Sequence, residues 1–422
     1  MHDHLHDRRR RIAPMLGLRD EILLVYAGRP IPLPEDSDQF YPFFAHSDYY
    51  YLTGLNCPGG VLAYDPKDDC WLSFVPPVSE SERIWEGRPA WPGLPAAELD
   101  TWFAVREGRT LVCLGRPPAS ITFDPALARI VQARLHHARR SKDADELRLL
   151  RQAVSATAAG FAKAHELLRP GLTEREIQIE LESEFFRHGA EMTGYETIVG
   201  TGPHSAILHF PPGPRETRPG DLVLIDAGAS CSRYTADVTR TYVVGKPTPF
   251  QRELHQVVRE AQHRAIARCL PGVEWKDIHL AAAIDLVAGL VEMDLMRGTP
   301  ESLVEQEAHE LFYPHGLGHM VGLGVRDASG LAPGRIKDPR PSLRSLRMDL
   351  PLEPGYVVTV EPGLYFIRPL LDPPERRARY RDCVNWDLVD LHLDSGGIRI
   401  EDNLLITEAG PEVLTEGIPQ SL

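Results

Sequence analysis

Four carboxylates emerge from apolar strand-like runs: Asp226 in "DLVLIDAG", Asp237 in "ADVTRTYVV", Glu361 at the end of the strand in "GYVVTVEPGLYF" and Glu401 inside that of "GGIRIEDNLLIT". Burying such a group is costly unless something balances its charge. Read as a hairpin turning at Cys231 and Ser232, residues 221–230 and 238–244 place Asp226 opposite Asp237, with Cβ atoms about 4.5–5.5 Å apart. A shared proton, a nearby arginine or a metal ion must then lie between them. In the last run, alternation puts Arg399 and Glu401 on one face and Ile398 and Ile400 on the other. The stretch "FYPHGLGHMVGLGVRDASG" adds His315 and His319, four apart among glycines, and then Arg326. One histidine from this stretch with two aspartates and two glutamates makes an oxygen-rich set suited to two divalent first-row ions bridged by carboxylates. Singly, each residue has a plainer reading as a turn former or strand end; the joint pattern carries the metal reading.

The elements that must position these groups are legible around them. Thr173 with Glu176 forms a capping box opening an amphipathic helix. Further helices are expected at about 250–269 and 275–291, and Leu147, Leu150, Val154 and Ala158 recur at helical spacing. Strand pairs are expected between 221–230 and 237–244, and between 355–361 and 398–406. Helices flanking antiparallel pairs make this half α+β rather than a parallel doubly wound sheet. Ahead of it, "EILLVYAG", "VLAYDP", "CWLSFVPP" and "TLVCLG" read as strands of a smaller α/β domain. The boundary falls near Arg140, giving domains 1–140 and 141–422.

Composition narrows the partners. The 422 residues suit two domains, and 43% hydrophobic with 25% charged residues is ordinary for a soluble protein. The longest apolar runs, such as "LVLI", fall far short of the ~20 residues that span a bilayer. "MHDHLHDRRRRIAPML" lacks the apolar run of a secretory signal, so a cytoplasmic location is expected. Six cysteines lie scattered without CxxC spacing, against a zinc ribbon or a disulfide framework. A net charge of −14 repels nucleic acid and anionic membrane alike.

In chain order, "LIDAG", "ADVTRTY", "HGLGHMVGL", "TVEPGLYF" and "GIRIEDN" resemble the metal-binding motifs of the pita-bread metallopeptidases, the group containing methionine aminopeptidase, aminopeptidase P and prolidase. "HSDYYYLTGLNCPGGVLA" and "RIWEGR" resemble the accessory domain of aminopeptidase P and prolidase. The resemblance implies a pita-bread catalytic domain behind a smaller α/β domain. It implies a dinuclear site with Asp226, Asp237, His319, Glu361 and Glu401 as ligands, Asp237 and Glu401 bridging, loaded with Mn(II) or else Zn(II) or Co(II). His315 would support the site, His209 in "AILHF" would contact substrate, and Tyr365 and Arg399 would orient ligands. The implied reaction is hydrolysis of Xaa-Pro bonds in short peptides by a metal-bridging hydroxide, with Glu361 shuttling the proton and His209 orienting or assisting at the leaving nitrogen. A homodimer or homotetramer is implied as well.

Two arginines bear on the substrate. Arg347 in "SLRSLRMDLPLEPGYVVTV" resembles a prolidase arginine that holds the substrate's free carboxylate, which favours an Xaa-Pro dipeptidase, with aminopeptidase P as the alternative. Arg326 stands where the family has a histidine thought to contact substrate. Arginine cannot shuttle protons, so it either donates to an anion or pairs with an acid such as Asp327. A non-catalytic pita-bread module, a creatine-type amidinohydrolase and an exopeptidase acting at the C-terminus stand behind these. Presence of all five ligands argues against the first two.

Overall fold

The computed structural model describes residues 3–34 and 38–422. Met1 and His2, part of the N-terminal stretch discussed above, lie outside them, and Asp3–Leu16 is helical. Two compact units follow one another along the chain, Met1–Arg139 and Arg140–Leu422.

The first unit is built on a five-stranded mixed sheet. Ile22–Tyr26 lies between the central strand Val61–Asp65, to which it is antiparallel, and the edge strand Leu111–Gly115, to which it is parallel. Cys70–Val75 and Leu94–Pro95 extend it. Each of the four strand-like runs read from the sequence contributes one strand.

The second unit repeats one pattern, a helix pair followed by antiparallel strands. Ala144–Leu167 packs with Glu174–Arg187, and their apolar faces close over the hairpin of Leu222–Ala227 and Val238–Val243. Pro249–Arg268 packs with Trp275–Glu292, and this pair shares a core with Val357–Val360 and Asp402–Thr407. Three of these helices start on reciprocal caps, Asp143 with Glu146, Thr173 with Glu176 and Thr248 with Gln251, which satisfy amide groups the first turn would otherwise leave bare. Both strand pairs are buried on both faces; Leu222–Ala227 and Val357–Val360 read as near-continuous apolar runs, whereas their partners Val238–Val243 and Asp402–Thr407 also bury Thr239, Arg240, Thr241, Asp402 and Asn403. The α+β class and the expected helices and strand pairs are all present, with boundaries shifted by one to a few residues.

The register of the first hairpin differs from the expectation. Its turn is centred on Ser232 and Arg233, both with left-handed φ (48° and 68°), the geometry of a two-residue hairpin loop. Asp226 therefore faces Thr239 rather than Asp237. Nothing in "SCSRYT" marks that turn, because the usual Asn-Gly or Asp-Gly signal is missing and an arginine there is uncommon. The shift is two positions, so both aspartates keep the same face of the sheet.

Candidate metal centre

Between Leu222–Ala227 and Ala229–Cys231 the chain passes through Gly228, where a Cβ would lie 1.7 Å from the Ala236 carbonyl oxygen. Only glycine allows the two backbones to approach so closely. At the same level Asn403 inserts its side chain into the ladder: Oδ1 accepts from the Asp237 amide at 3.0 Å, and Nδ2 donates to the Asp237 carbonyl at 2.5 Å. Asp237 is thereby fixed at the interruption. The second strand pair breaks in the same manner. Val357–Val360 with Asp402–Thr407, and Gly363–Tyr365 with Gly397–Arg399, keep one register on either side of a gap in which Glu361 faces Glu401. An isolated bridge between Thr239 and Glu401 joins the two strand systems. His319 arrives from the glycine-rich stretch, which runs beside Val357–Val360 through Thr359 N–H to His319 O (2.8 Å) and Glu361 N–H to Leu317 O (2.8 Å). A Cβ on Gly318 would meet the Thr359 carbonyl oxygen at 2.2 Å.

These backbones bring together the five residues expected as ligands. The Tyr195 hydroxyl lies 2.7 Å from Asp226 Oδ1 and 2.7 Å from Asp237 Oδ1. His319 Nε2 is 3.3 Å from Asp237 Oδ2 and 3.8 Å from Glu361 Oε1, while its Nδ1 faces the Met320 carbonyl at 3.1 Å. Ligand atoms of Asp237, His319 and Glu401 all fall within 4.8 Å of one another. Thr239 donates to Glu401 Oε2 at 2.6 Å and accepts from Arg399 Nε at 3.0 Å. Arg399 also reaches Asp226 Oδ2 (2.6 Å) and the Tyr365 hydroxyl (2.9 Å), and that hydroxyl lies 2.9 Å from His315 Nε2.

The electrostatics are unbalanced. Burial pushes Asp226 up against the pull of Arg399, and Glu401 is driven well above the carboxylate range by burial and by Asp237, Glu361 and Asp226. Glu361 rises to about 7, through burial and the charges of Asp237 and Asp226, although His319 and Arg399 oppose it. Burial works against a charged His319, yet its Asp237 hydrogen bond and the charges of Asp237 and Glu361 outweigh that and raise it. Burial and Arg399 lower His315 to about 3 and also lower His209. One tyrosine proton cannot serve two carboxylates, and Arg399 alone does not balance four. Buried oxygen donors with one imidazole, oriented through its other nitrogen, are the donor chemistry of divalent first-row cations.

The cluster forms the floor of a cavity of about 1010 Å³, whose walls include His209, His315, Arg326 and Arg347. Asp327 pairs with Lys142 Nζ at 3.0 Å, and its neighbour Arg326 lines the cavity. Sequence reasoning missed Tyr195, Thr239 and Asn403. Alternation from Asp237 and from Glu401 would have found the last two, since each shares a strand face with its carboxylate; Tyr195 carries no such signal.

The model of metallopeptidase family M24 matches residues 148–408, and the aminopeptidase P N-terminal domain matches residues 5–99. The chain belongs to family M24. It is a metallo-exopeptidase with the pita-bread fold. A Fusarium vanettenii protein named a probable Xaa-Pro aminopeptidase is 32% identical over 94% of this chain and 89% of its own length. Among solved structures, zinc-substituted Escherichia coli aminopeptidase P in complex with product is 28% identical, with a TM-score of 0.81 over 100% of this chain and 96% of that one. Proline aminopeptidase P II from Yersinia pestis is also 28% identical, with a TM-score of 0.79 over 100% of this chain and 97% of its own. These likenesses favour the aminopeptidase alternative over the dipeptidase expected from the Arg347 stretch. The resemblance of one arginine-bearing loop to prolidase is outweighed by similarity that spans both domains. No helix among the described residues is long and apolar enough to cross a membrane.

Proposed function

We propose that the protein is an Xaa-Pro aminopeptidase, removing the first residue of peptides whose second residue is proline. The observation that carries this choice is similarity along nearly the whole chain to proteins bearing that name. The cavity supports it, since about 1010 Å³ above the acid cluster leaves room for a peptide that continues past proline. We assign residues 1–140 to the accessory domain and 141–422 to the catalytic domain.

Asp226, Asp237, His319, Glu361 and Glu401 would hold two divalent ions, with Mn(II) suited to so many oxygen donors and Zn(II) or Co(II) as alternatives. When bound, such ions polarise a carbonyl oxygen and lower the pKa of water. The remaining steps belong to side chains. Glu361 accepts the proton of the attacking water at Oε2, the oxygen that lies 3.9 Å from His315 Nδ1. His209, kept neutral by burial and Arg399, offers a ring N–H toward the leaving nitrogen, which in an Xaa-Pro bond carries no hydrogen. Arg399 pairs with Asp226 and opposes the rise that burial imposes on it, and the Tyr365 hydroxyl between Arg399 and His315 fixes both in place.

The test is a length series with Mn(II) added. We expect kcat/KM for Ala-Pro-Ala to exceed that for Ala-Pro by about tenfold or more, because only the longer peptide uses the outer cavity. A preference for Ala-Pro would return the assignment to the dipeptidase.

A further inference from the structure

Beside the main cavity, and sharing His319, Arg326, Ser345 and Arg347 with it, lies a second recess of about 550 Å³. Its charged lining is entirely basic: Arg326, Lys337, Arg344 and Arg347, with no aspartate or glutamate among the lining residues. That is unexpected in a chain of net charge −14. Most other cations of the same segment are neutralised. Arg335 pairs with Glu274 and Asp349 at 2.7 and 2.8 Å, and Arg340 pairs with Glu307 at 2.9 Å. The four lining cations, by contrast, make no ion pair with any described residue, and each is exposed. Arg347 is lowered by partial burial and then by the charge of Arg326, so at least two of them repel one another. Unpaired like charges gathered in a concavity are stabilised by an anion that enters it.

Building on the aminopeptidase reading, we infer that this recess is a specificity subsite for an acidic side chain carried downstream of the proline. Its position fits that role. His319 lines both hollows, so a peptide with its first residue over the acid cluster needs only a few residues, at about 3.3–3.6 Å each, to bring a carboxylate among the four cations. Guanidinium groups suit carboxylates because two N–H donors match two oxygens, and Lys337 adds a point charge.

The experiment uses the metal-loaded enzyme and C-terminally amidated peptides, which removes the terminal carboxylate as a competing anion. Ala-Pro-Glu-Ala-amide and Ala-Pro-Ala-Glu-amide are compared with their Gln counterparts. At least one Glu peptide should show a kcat/KM about fivefold or more above its Gln partner, and the preference should shrink as salt screens it. In Lys337→Gln/Arg344→Gln the preference should fall to within twofold, while turnover of the Gln peptides stays at the wild-type level. In a parallel calorimetric arm, Pro-Glu-Ala-amide should bind more tightly than Pro-Gln-Ala-amide to the wild type alone. Equal rates for Glu and Gln at both positions, or a preference that survives the double substitution, overturns the subsite. Failure to cleave any of the peptides overturns the aminopeptidase reading, and the binding arm then decides the recess by itself.

Discussion

Asp237 touches more of the centre than any other acid: Tyr195 and His319 reach its carboxylate, and Asn403 holds its backbone. Replacing Asp237 or Glu401 by alanine should abolish activity and lower metal content, since each removes a donor from a cluster whose remaining charges then no longer match two cations. Elemental analysis of the purified variants checks this, and full metal occupancy in either would remove that residue from the ligand set. Tyr195 is the subtler case. Burial and the charges of Asp226, Asp237 and Glu401 keep its phenol protonated far above its ordinary range, so it acts as a donor that orients carboxylates. Tyr195→Phe should leave the fold intact and weaken metal affinity by about 10–100-fold, the usual effect of losing a group that orients ligands. Competition with a chelator of known affinity measures it.

At the scale of elements, the sequence disclosed what depends on pattern. Helical periodicity and the Thr173–Glu176 capping box pointed to helices, apolar runs bounded by turn residues pointed to the strands, and the carboxylates emerging from those runs pointed to the cluster. It did not disclose what depends on turn geometry or on contacts far apart in sequence. The Ser232–Arg233 turn lacked its usual residues, and Tyr195 meets the aspartates only through tertiary packing. The loop carrying His319 and Arg326 illustrates the second kind. It is anchored by the segment that opens the second unit, with Arg140 Nε donating to the Ala328 carbonyl at 3.0 Å and Lys142 pairing with Asp327, both side chains of that pair being buried. Lys142→Met removes the cation from the buried Asp327 carboxylate, and breaking a buried pair from one side costs about 3–5 kcal/mol. Urea unfolding should show a loss of that order, and a loss under ~1 kcal/mol would mean the pair does not anchor the loop.

For the molecule as a whole, stability should depend on pH through buried histidines outside the proposed ligand set. Burial lowers His309 to about 4, with Glu307 opposing and Arg340 reinforcing the shift, and burial together with the charge of His309 lowers His279 to about 3. Neither ring has a hydrogen-bond partner among the described residues. Because the folded-state values lie below the unfolded one near 6.5, the unfolded chain binds more protons between pH 6.5 and 4. Their neutral packing therefore contributes fully above pH 6.5 and is lost as the pH falls. His309→Gln should reduce the difference in unfolding free energy between pH 7 and pH 5 by about 2 kcal/mol. An unchanged difference would show that His309 titrates alike in the folded and unfolded chain.

A buried acid cluster loaded with divalent ions should cut the bond before a proline in second position. Mass spectrometry of Ala-Pro-Ala-Ala incubated with the protein tests this most directly, with one sample given Mn(II) and another given a chelator. Free alanine and Pro-Ala-Ala are expected in the first sample and intact peptide in the second. Release of Ala-Pro, loss of the C-terminal alanine, or cleavage that persists in the chelator would contradict that expectation.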